Sequence, residues 1–112
     1  MTTSAGAGLL GVLPATAGRG ADGRLLVGGC ALADIAAEFG TPALVFDERG
    51  LRDRAREYRH EFGSRHPTTD VHFASKALPC APVLRVLASE GLGCDVASAG
   101  ELAIALAAGF DP

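Results

Sequence analysis

Short apolar runs alternate with apolar residues at helical spacing in the second half of the chain. Strands are predicted over residues 71–74 and 94–97, and a helix that begins near Pro82 separates them. Ser98 and Glu101 have the spacing of a capping box, which predicts that another helix starts there. Two strands joined by a helix pair in parallel, so the pattern predicts an α/β fold.

The first half of the chain divides into two predicted segments. Residues 1–23 are rich in Ala, Gly and Thr and are predicted to form a flexible N-terminal arm. Residues 24–46 are predicted to form a lead-in segment of strand, helix and strand, in which the second strand covers residues 43–46. Asp47 is then placed to cap a helix with one apolar stripe.

The helices predicted within residues 47–112 are too few to cover the predicted parallel strands. Two parallel strands need both faces and both edges covered, which three helices cannot provide. A (β/α)₈ barrel takes about 250 residues. We therefore expect residues 47–112 to be the first βα units of such a barrel, incomplete in this chain, with function at the carboxyl ends of the strands.

Composition narrows the class of partner. The chain of 112 residues is 48% hydrophobic and 21% charged, which indicates a globular protein, and it has no apolar run long enough to span a bilayer. A net charge of -3 argues against nucleic acid and anionic membranes as partners. Three separated cysteines without a CxxC pair predict neither a disulfide framework nor a metal site, and they fit a reducing cytoplasm.

Lys76, which follows the first predicted strand, is the only lysine beside nine arginines. A lysine buried among apolar groups can lose its proton and attack a carbonyl, which arginine cannot do, and Phe73, Ala74 and Leu78 would supply apolar surroundings. Strand alternation places Ala74 and His72 on the side of Lys76, facing the barrel interior, and His72 is expected to be a hydrogen-bonded core residue. The alternative is a lysine that only extends its amine into solvent at a strand end.

Asp95 is the one acidic residue in the second predicted strand, between Cys94 and Val96. A carboxylate there must find a partner, either Lys76 and whatever Lys76 binds, or backbone amides at the strand end. Ser75 is expected to point outward and has no neighbouring base, so it is not predicted to be a nucleophile.

Four segments together resemble one enzyme family. They are residues 40–47 (GTPALVFD), 73–77 (FASKA), 91–101 (GLGCDVASAGE) and 107–111 (AAGFD). Over about residues 25–112 the chain resembles the amino-terminal part of the fold-type III pyridoxal-phosphate-dependent decarboxylases. That family includes the diaminopimelate, ornithine and arginine decarboxylases, and the sequence of these segments is most similar to the diaminopimelate group.

The resemblance implies a fold, a cofactor and site residues. It implies an alanine-racemase-like (β/α)₈ barrel in which Lys76 forms a Schiff base with pyridoxal 5'-phosphate. Asp95 would lie close to that linkage as a catalytic and cofactor-binding residue, and Ala74 would leave room for the cofactor ring. Glu101 would lie behind Asp95. The complete enzyme is expected to be a homodimer that acts on a small amino acid.

The implied reaction is decarboxylation of meso-diaminopimelate to L-lysine and CO2 in lysine biosynthesis. Two alternatives stay open: an ornithine- or arginine-type decarboxylase or an alanine-racemase-like enzyme of the same fold, and a truncated relative without catalysis. No glycine-rich phosphate cradle and no clamp for a substrate carboxylate follow Lys76 within residues 77–112. The segment alone is therefore expected to be inactive.

Overall fold

The computed structural model describes residues 11–112, and the chain divides after Gly50 into two compact units. Residues 1–10 of the predicted arm lie outside the described residues. None of the helices within residues 11–112 is long and apolar enough to cross a membrane. In chain order the elements are β1 (Gly18–Arg19), β2 (Leu25–Val27), β3 (Cys30–Ala31), α1 (Leu32–Phe39), α2 (Glu48–Arg65), β4 (His72–Ala74), a 3-10 turn (Ser75–Ala77), α3 (Ala81–Ser89), β5 (Gly93–Asp95) and α4 (Ala99–Ala108).

The first unit contains a small antiparallel sheet in the order β1-β2-β3. Gly28 and Gly29 link β2 to β3 with φ values of +58° and +85°, the left-handed backbone that a tight two-residue hairpin favours. On the other side of β2, Gly18 pairs with Leu26. Strand structure therefore begins at Gly18, inside the stretch that was predicted to be a flexible arm.

The predicted strand over residues 43–46 is not formed. These residues have no regular secondary structure and are exposed, and Leu44 retains 89% of its accessible surface. No strand within residues 11–112 pairs with them. An apolar run forms a strand only where a neighbour can receive its backbone hydrogen bonds, so local sequence gave a false prediction here.

Asp47 caps α2, as its position in the sequence predicts. Its Oδ1 accepts a hydrogen bond from the backbone N–H of Arg49 at 3.1 Å, and its Oδ2 accepts one from the hydroxyl of Thr16. Thr16 Oγ1 in turn accepts the N–H of Gly28 at 3.3 Å. A Cβ on Gly28 would lie 2.8 Å from Asp47 Oδ1, so this contact favours glycine.

The second unit is built on the parallel pair β4–β5, joined through α3. The prediction of parallel strands with a helical crossover is confirmed. Ala55 of α2 forms a buried cluster with Val83 and Leu87 of α3. The partly buried residues packed against this cluster are Leu51, Phe73, Leu78, Cys80, Leu92 and Phe110.

Helix α4 begins where the sequence predicts. Ser98 Oγ accepts the backbone N–H of Glu101 at 3.1 Å, and Gly109 ends the helix in the left-handed conformation at φ +100°. The Glu101 carboxylate does not close the usual capping box with the N–H of Ser98. It accepts the N–H of Ala97, one residue earlier, at 2.7 Å.

Arginines of α2 converge on Glu90, which follows α3. Arg56 donates to both carboxylate oxygens of Glu90, at 2.8 and 2.9 Å, and Arg52 donates to Oε1 at 2.8 Å. Arg59 donates to the backbone carbonyl of Glu90 at 2.7 Å. The hydrogen bonds from Arg56 and Arg52 hold the pKa of the Glu90 carboxyl below its usual range. We call Arg52, Arg56, Arg59 and Glu90 the arginine clamp.

Candidate active site

Two of the predicted site residues are neighbours at the carboxyl end of the parallel strands. Ala74 is the last residue of β4, Asp95 is the last residue of β5, and the register pairs them directly. Lys76 lies two residues beyond Ala74, in the middle of the 3-10 turn. Lys76, Asp95 and Ala74 therefore lie at the same end of the strand pair, as predicted.

Lys76 is exposed, and it makes no ion pair within residues 11–112. Phe73 and Leu78 do not bury it, because both pack against the cluster of Ala55, Val83 and Leu87. The expectation of an apolar enclosure from Phe73 and Leu78 is therefore wrong for the described part of the chain. Its physical reason is that the strand alternation used to place Lys76 stops at Ala74, where the 3-10 turn begins.

Asp95 is also exposed. No hydrogen bond joins its carboxylate to a backbone amide in the part of the chain that the structure describes, so capping by the strand-end backbone is not what holds it there. No ion pair joins it to Lys76 either, within the same residues. The carboxylate is open to solvent at the strand end.

Ser75 was predicted to point away from the barrel interior and to have no neighbouring base, and the second part of this prediction is wrong. Its residue surface is fully buried at 0% exposure, and its hydroxyl donates to Glu101 Oε2 at 3.0 Å. In the turn, Ser75 takes the buried position and Lys76 the exposed one. Sequence reasoning had linked Glu101 only to Ser98, through the capping-box spacing, and no local signal joins residues 26 positions apart.

Cys94 lies on β5 next to Asp95 and is half-buried. Burial raises the pKa of its thiol, and the negative charges of Asp95 and Glu101 raise it further, while a hydrogen bond with Ser75 acts in the opposite direction. The thiol therefore stays protonated near neutral pH. This excludes Cys94 as a ready nucleophile.

The prediction that His72 is a hydrogen-bonded core residue is wrong, because His72 is exposed. Its ring occupies the space beside Gly93, where an added Cβ would lie 2.3 Å from the imidazole Cδ2. Gly93 is the register partner of His72 on β5. The missing side chain at position 93 is what allows the ring to lie across the strand pair.

A cleft of about 580 Å³ also opens in the second unit. It is lined mainly by apolar groups, among them Val96, Leu102, Leu106 and Phe110, and it includes His72. Neither Ala74, Lys76 nor Asp95 lines it. The cleft lacks the amine and the carboxylate, so we place the candidate chemistry at the strand end and not in the cleft.

The groups at the strand end fit an aldehyde cofactor. An accessible primary amine can bind an aldehyde carbon covalently, and the Lys76 amine is exposed and has no ion-pair partner within residues 11–112. Ala74 beside it has no bulk above Cβ, and the Asp95 carboxylate can balance a nearby positive charge. Groups that would hold a phosphate are not part of this arrangement.

A family model matches the part of the chain that contains these residues. Residues 48–112 match the family model described as the pyridoxal-binding domain of pyridoxal-dependent decarboxylases, which is more than half of the chain. The match covers β4, the 3-10 turn with Lys76, and β5 with Asp95.

Curated relatives have the same name in several organisms. The chain is 52% identical over 88 residues to diaminopimelate decarboxylase of Actinosynnema pretiosum, covering 79% of this chain and 19% of that protein. It is 43% identical over 101 residues to diaminopimelate decarboxylase of Mycobacterium bovis, covering 90% of this chain and 22% of that protein. The chain thus spans about one fifth of the length of these relatives.

A solved structure has the same fold over most of the chain. It is diaminopimelate decarboxylase of M. jannaschii in complex with L-lysine, with a TM-score of 0.78 and 32% sequence identity. The match covers 85% of this chain and 23% of that structure. The comparisons confirm both the family resemblance and the predicted fold class, an α/β segment of a pyridoxal-phosphate barrel.

Proposed function

The chain belongs to the family of pyridoxal-dependent decarboxylases, and from this premise we propose that Lys76 is the residue that binds pyridoxal 5'-phosphate. The observation that carries the proposal is the exposed Lys76 amine at the carboxyl end of β4, next to the paired Ala74 and Asp95. In (β/α)₈ barrels this end of the strands carries the chemistry. Because residues 1–112 span about one fifth of the relatives, we refer below to the longer chain that we propose contains them as the complete enzyme.

Each of the three residues has a separate task in this proposal. Bound pyridoxal phosphate supplies an electron sink that stabilises negative charge on the substrate α-carbon. The Lys76 amine would be the group that holds the cofactor aldehyde covalently. The negative charge of the Asp95 carboxylate would favour the protonated form of a nearby nitrogen of the bound cofactor. Ala74, the register partner of Asp95, would leave space beside the covalent bond between Lys76 and the cofactor.

We propose meso-diaminopimelate as the substrate and L-lysine and CO2 as the products. The support is the name shared by the relatives at 41–52% identity and the L-lysine bound in the M. jannaschii structure. A basic amino acid such as ornithine or arginine is the competing substrate class within the family. We further propose, from the family resemblance, that the complete enzyme is a cytoplasmic homodimer in which the second subunit completes the site.

Borohydride reduction of the cofactor-loaded complete enzyme, followed by peptide mass mapping, tests the assignment of Lys76. The reduced cofactor adduct should appear on the peptide that contains Lys76. Release of CO2 from meso-diaminopimelate, ornithine and arginine, compared by kcat/KM, then tests the substrate. An adduct on another lysine overturns the site, and a preference for ornithine or arginine overturns the substrate without affecting the site.

A further inference from the structure

The hydroxyl of Ser75 is buried next to the residue that we propose binds the cofactor. Ser75 is the one polar residue of the buried class within residues 11–112, at 0% exposure. Its Oγ donates to Glu101 Oε2 at 3.0 Å. A buried hydroxyl needs a hydrogen-bond partner, and one that donates to a carboxylate forms a stronger bond than one that donates to a neutral oxygen.

The same carboxylate oxygen also binds the segment that follows Asp95. Glu101 Oε2 accepts a hydrogen bond from the backbone N–H of Ala97, which follows β5, at 2.7 Å. The same oxygen accepts the hydroxyl of Ser75, which follows β4. Ser75 is adjacent to Lys76, and Ala97 lies two residues after Asp95. One carboxylate oxygen therefore joins the turn that carries Lys76 to the loop that follows Asp95.

This link matters because the β4–β5 pairing ends at Ala74 and Asp95, so it does not extend over the turn that carries Lys76. Lys76 and Asp95 are exposed and are not paired with each other within residues 11–112. The lysine stem has several rotatable bonds, so the position of its amine depends on where the backbone of the turn is held. The backbone bond from Leu78 N to Ser75 O shapes the turn internally but does not tie it to β5 or α4.

We propose that Ser75 is a positioning residue, acting through the Glu101 carboxylate, that fixes the Lys76 turn relative to Asp95. This inference rests on the proposed role of Lys76 in binding pyridoxal phosphate. Ser75 does not touch the reacting atoms, because its hydroxyl is buried against Glu101. Its effect is on how often the amine and the carboxylate are held at the spacing that the cofactor needs.

Ser75→Ala in the complete enzyme tests the proposal, because alanine removes the hydroxyl without adding volume. The dissociation constant of pyridoxal phosphate, measured by titrating the apoenzyme, should rise about tenfold, the loss expected for one charge-assisted hydrogen bond. kcat should fall by a similar factor, while KM for the substrate changes less than about twofold. Hydrogen exchange of the amides of residues 76–78 should become faster in the apoenzyme.

Ser89→Ala is the matched control. Ser89 is also a serine whose hydroxyl has two partners, since it donates to the carbonyl of Val86 at 2.7 Å and accepts from Arg52 at 2.8 Å. It is the last residue of α3, shortly before β5 begins, and neither of these hydrogen bonds is to the Lys76 turn. Its loss should lower the unfolding midpoint slightly and leave cofactor affinity and hydrogen exchange of residues 76–78 unchanged.

Glu101→Gln separates action through Glu101 from a general packing effect. The amide oxygen can still accept a hydrogen bond, but a neutral bond is about half as strong as a charge-assisted one. In the Glu101→Gln background, Ser75→Ala should therefore raise the cofactor dissociation constant only about threefold. A full tenfold effect in both backgrounds would contradict action through Glu101.

The two proposals fail in different ways. If borohydride places the adduct on Lys76 but Ser75→Ala leaves the cofactor dissociation constant and hydrogen exchange unchanged, Ser75 has no positioning role and the proposed function stands. If the adduct lies on another lysine, the proposed function fails and the role of Ser75 fails with it.

Discussion

The two ends of the β4–β5 pair use charged side chains in opposite ways. Just before β5, the arginine clamp satisfies the Glu90 carboxylate with three hydrogen bonds, and Glu90 keeps only 10% side-chain exposure. At the carboxyl end, Lys76 and Asp95 are exposed and without ion pairs within residues 11–112. Paired charges stabilise the packing of α2 on α3, whereas charges left open are available for a ligand.

The comparison shows where burial is used at each end. At the amino end, hydrogen bonds pair the charged groups of the arginine clamp with each other. At the carboxyl end, a hydrogen bond pairs Ser75 with Glu101, and the charged Lys76 beside Ser75 stays accessible. Substitutions at the carboxyl end should therefore alter turnover more than stability. Substitutions in the arginine clamp should do the reverse.

Lys76→Arg should have the largest effect. Arginine keeps the positive charge and most of the bulk but cannot form a covalent bond to an aldehyde, so the complete enzyme should lose about 10³-fold or more in kcat. The unfolding midpoint should stay close to wild type. Absorbance of the bound cofactor and kcat are the measurements, and Arg85→Lys, which places a new exposed lysine on α3, is the control that should leave both unchanged.

Asp95→Asn should lower turnover by about 10- to 100-fold. The amide has the shape of the carboxylate but lacks the charge that keeps a neighbouring nitrogen protonated. Steady-state kinetics and thermal unfolding should be measured on the same preparation, with Asp111→Asn as an exposed acidic control. Normal turnover combined with a lower unfolding midpoint would make Asp95 a structural residue and remove the contrast between the two strand ends.

Glu90→Gln should change stability and its dependence on pH. Hydrogen bonds from Arg56 and Arg52 lower the pKa of Glu90 in the folded protein, so its stabilising contribution is complete above the unfolded pKa of about 4.3 and is lost as the pH falls through the lower folded value. The variant should be less stable than wild type at pH 7. Its free energy of unfolding should fall less between about pH 5 and pH 3.

Denaturant unfolding of the complete enzyme at several pH values measures this effect, and kcat at pH 7 should remain near wild type. Glu57→Gln provides the comparison, because Glu57 pairs with Arg54 on the same helix with both side chains exposed. If Glu90→Gln and Glu57→Gln behave alike, the arginine clamp adds no more than an exposed ion pair.

Thiol alkylation gives the smallest expected effect. Cys30 is exposed, whereas Cys94 is half-buried and the pKa of its thiol is raised by burial and by the carboxylates of Asp95 and Glu101. Iodoacetamide at neutral pH should therefore modify Cys30 well before Cys94. Mass mapping at several reaction times measures the two rates, and equal rates would show that the β5 thiol is less protected than its contacts indicate.

The sequence predicted the elements better than the contacts between them. Asp47 and Ser98 were predicted to start helices through hydrogen bonds to residues nearby in the chain, and both predictions are confirmed. The bond from Ser75 to Glu101 was missed because strand alternation does not continue into a 3-10 turn and because its partner is 26 residues away.

The contacts that the arginines of α2 make with Glu90 are likewise not visible in the local sequence. Alternating charges on one helix predict a solvated face, but the partner of Arg52, Arg56 and Arg59 lies after a different helix, at Glu90. The apolar run over residues 43–46 was the converse case, in which a good local strand pattern had no neighbour within residues 11–112. Local pattern determines what a segment can form, while partners distant in sequence determine what it does form.

The position of the His72 ring on the β4–β5 pair depends on Gly93. His72 and Ala74 lie on the same face of β4, about 7 Å apart along the strand, and the ring covers the bare backbone of Gly93. Gly93 thus leaves the space that the imidazole occupies, and any larger residue at position 93 would force the ring of His72 to shift.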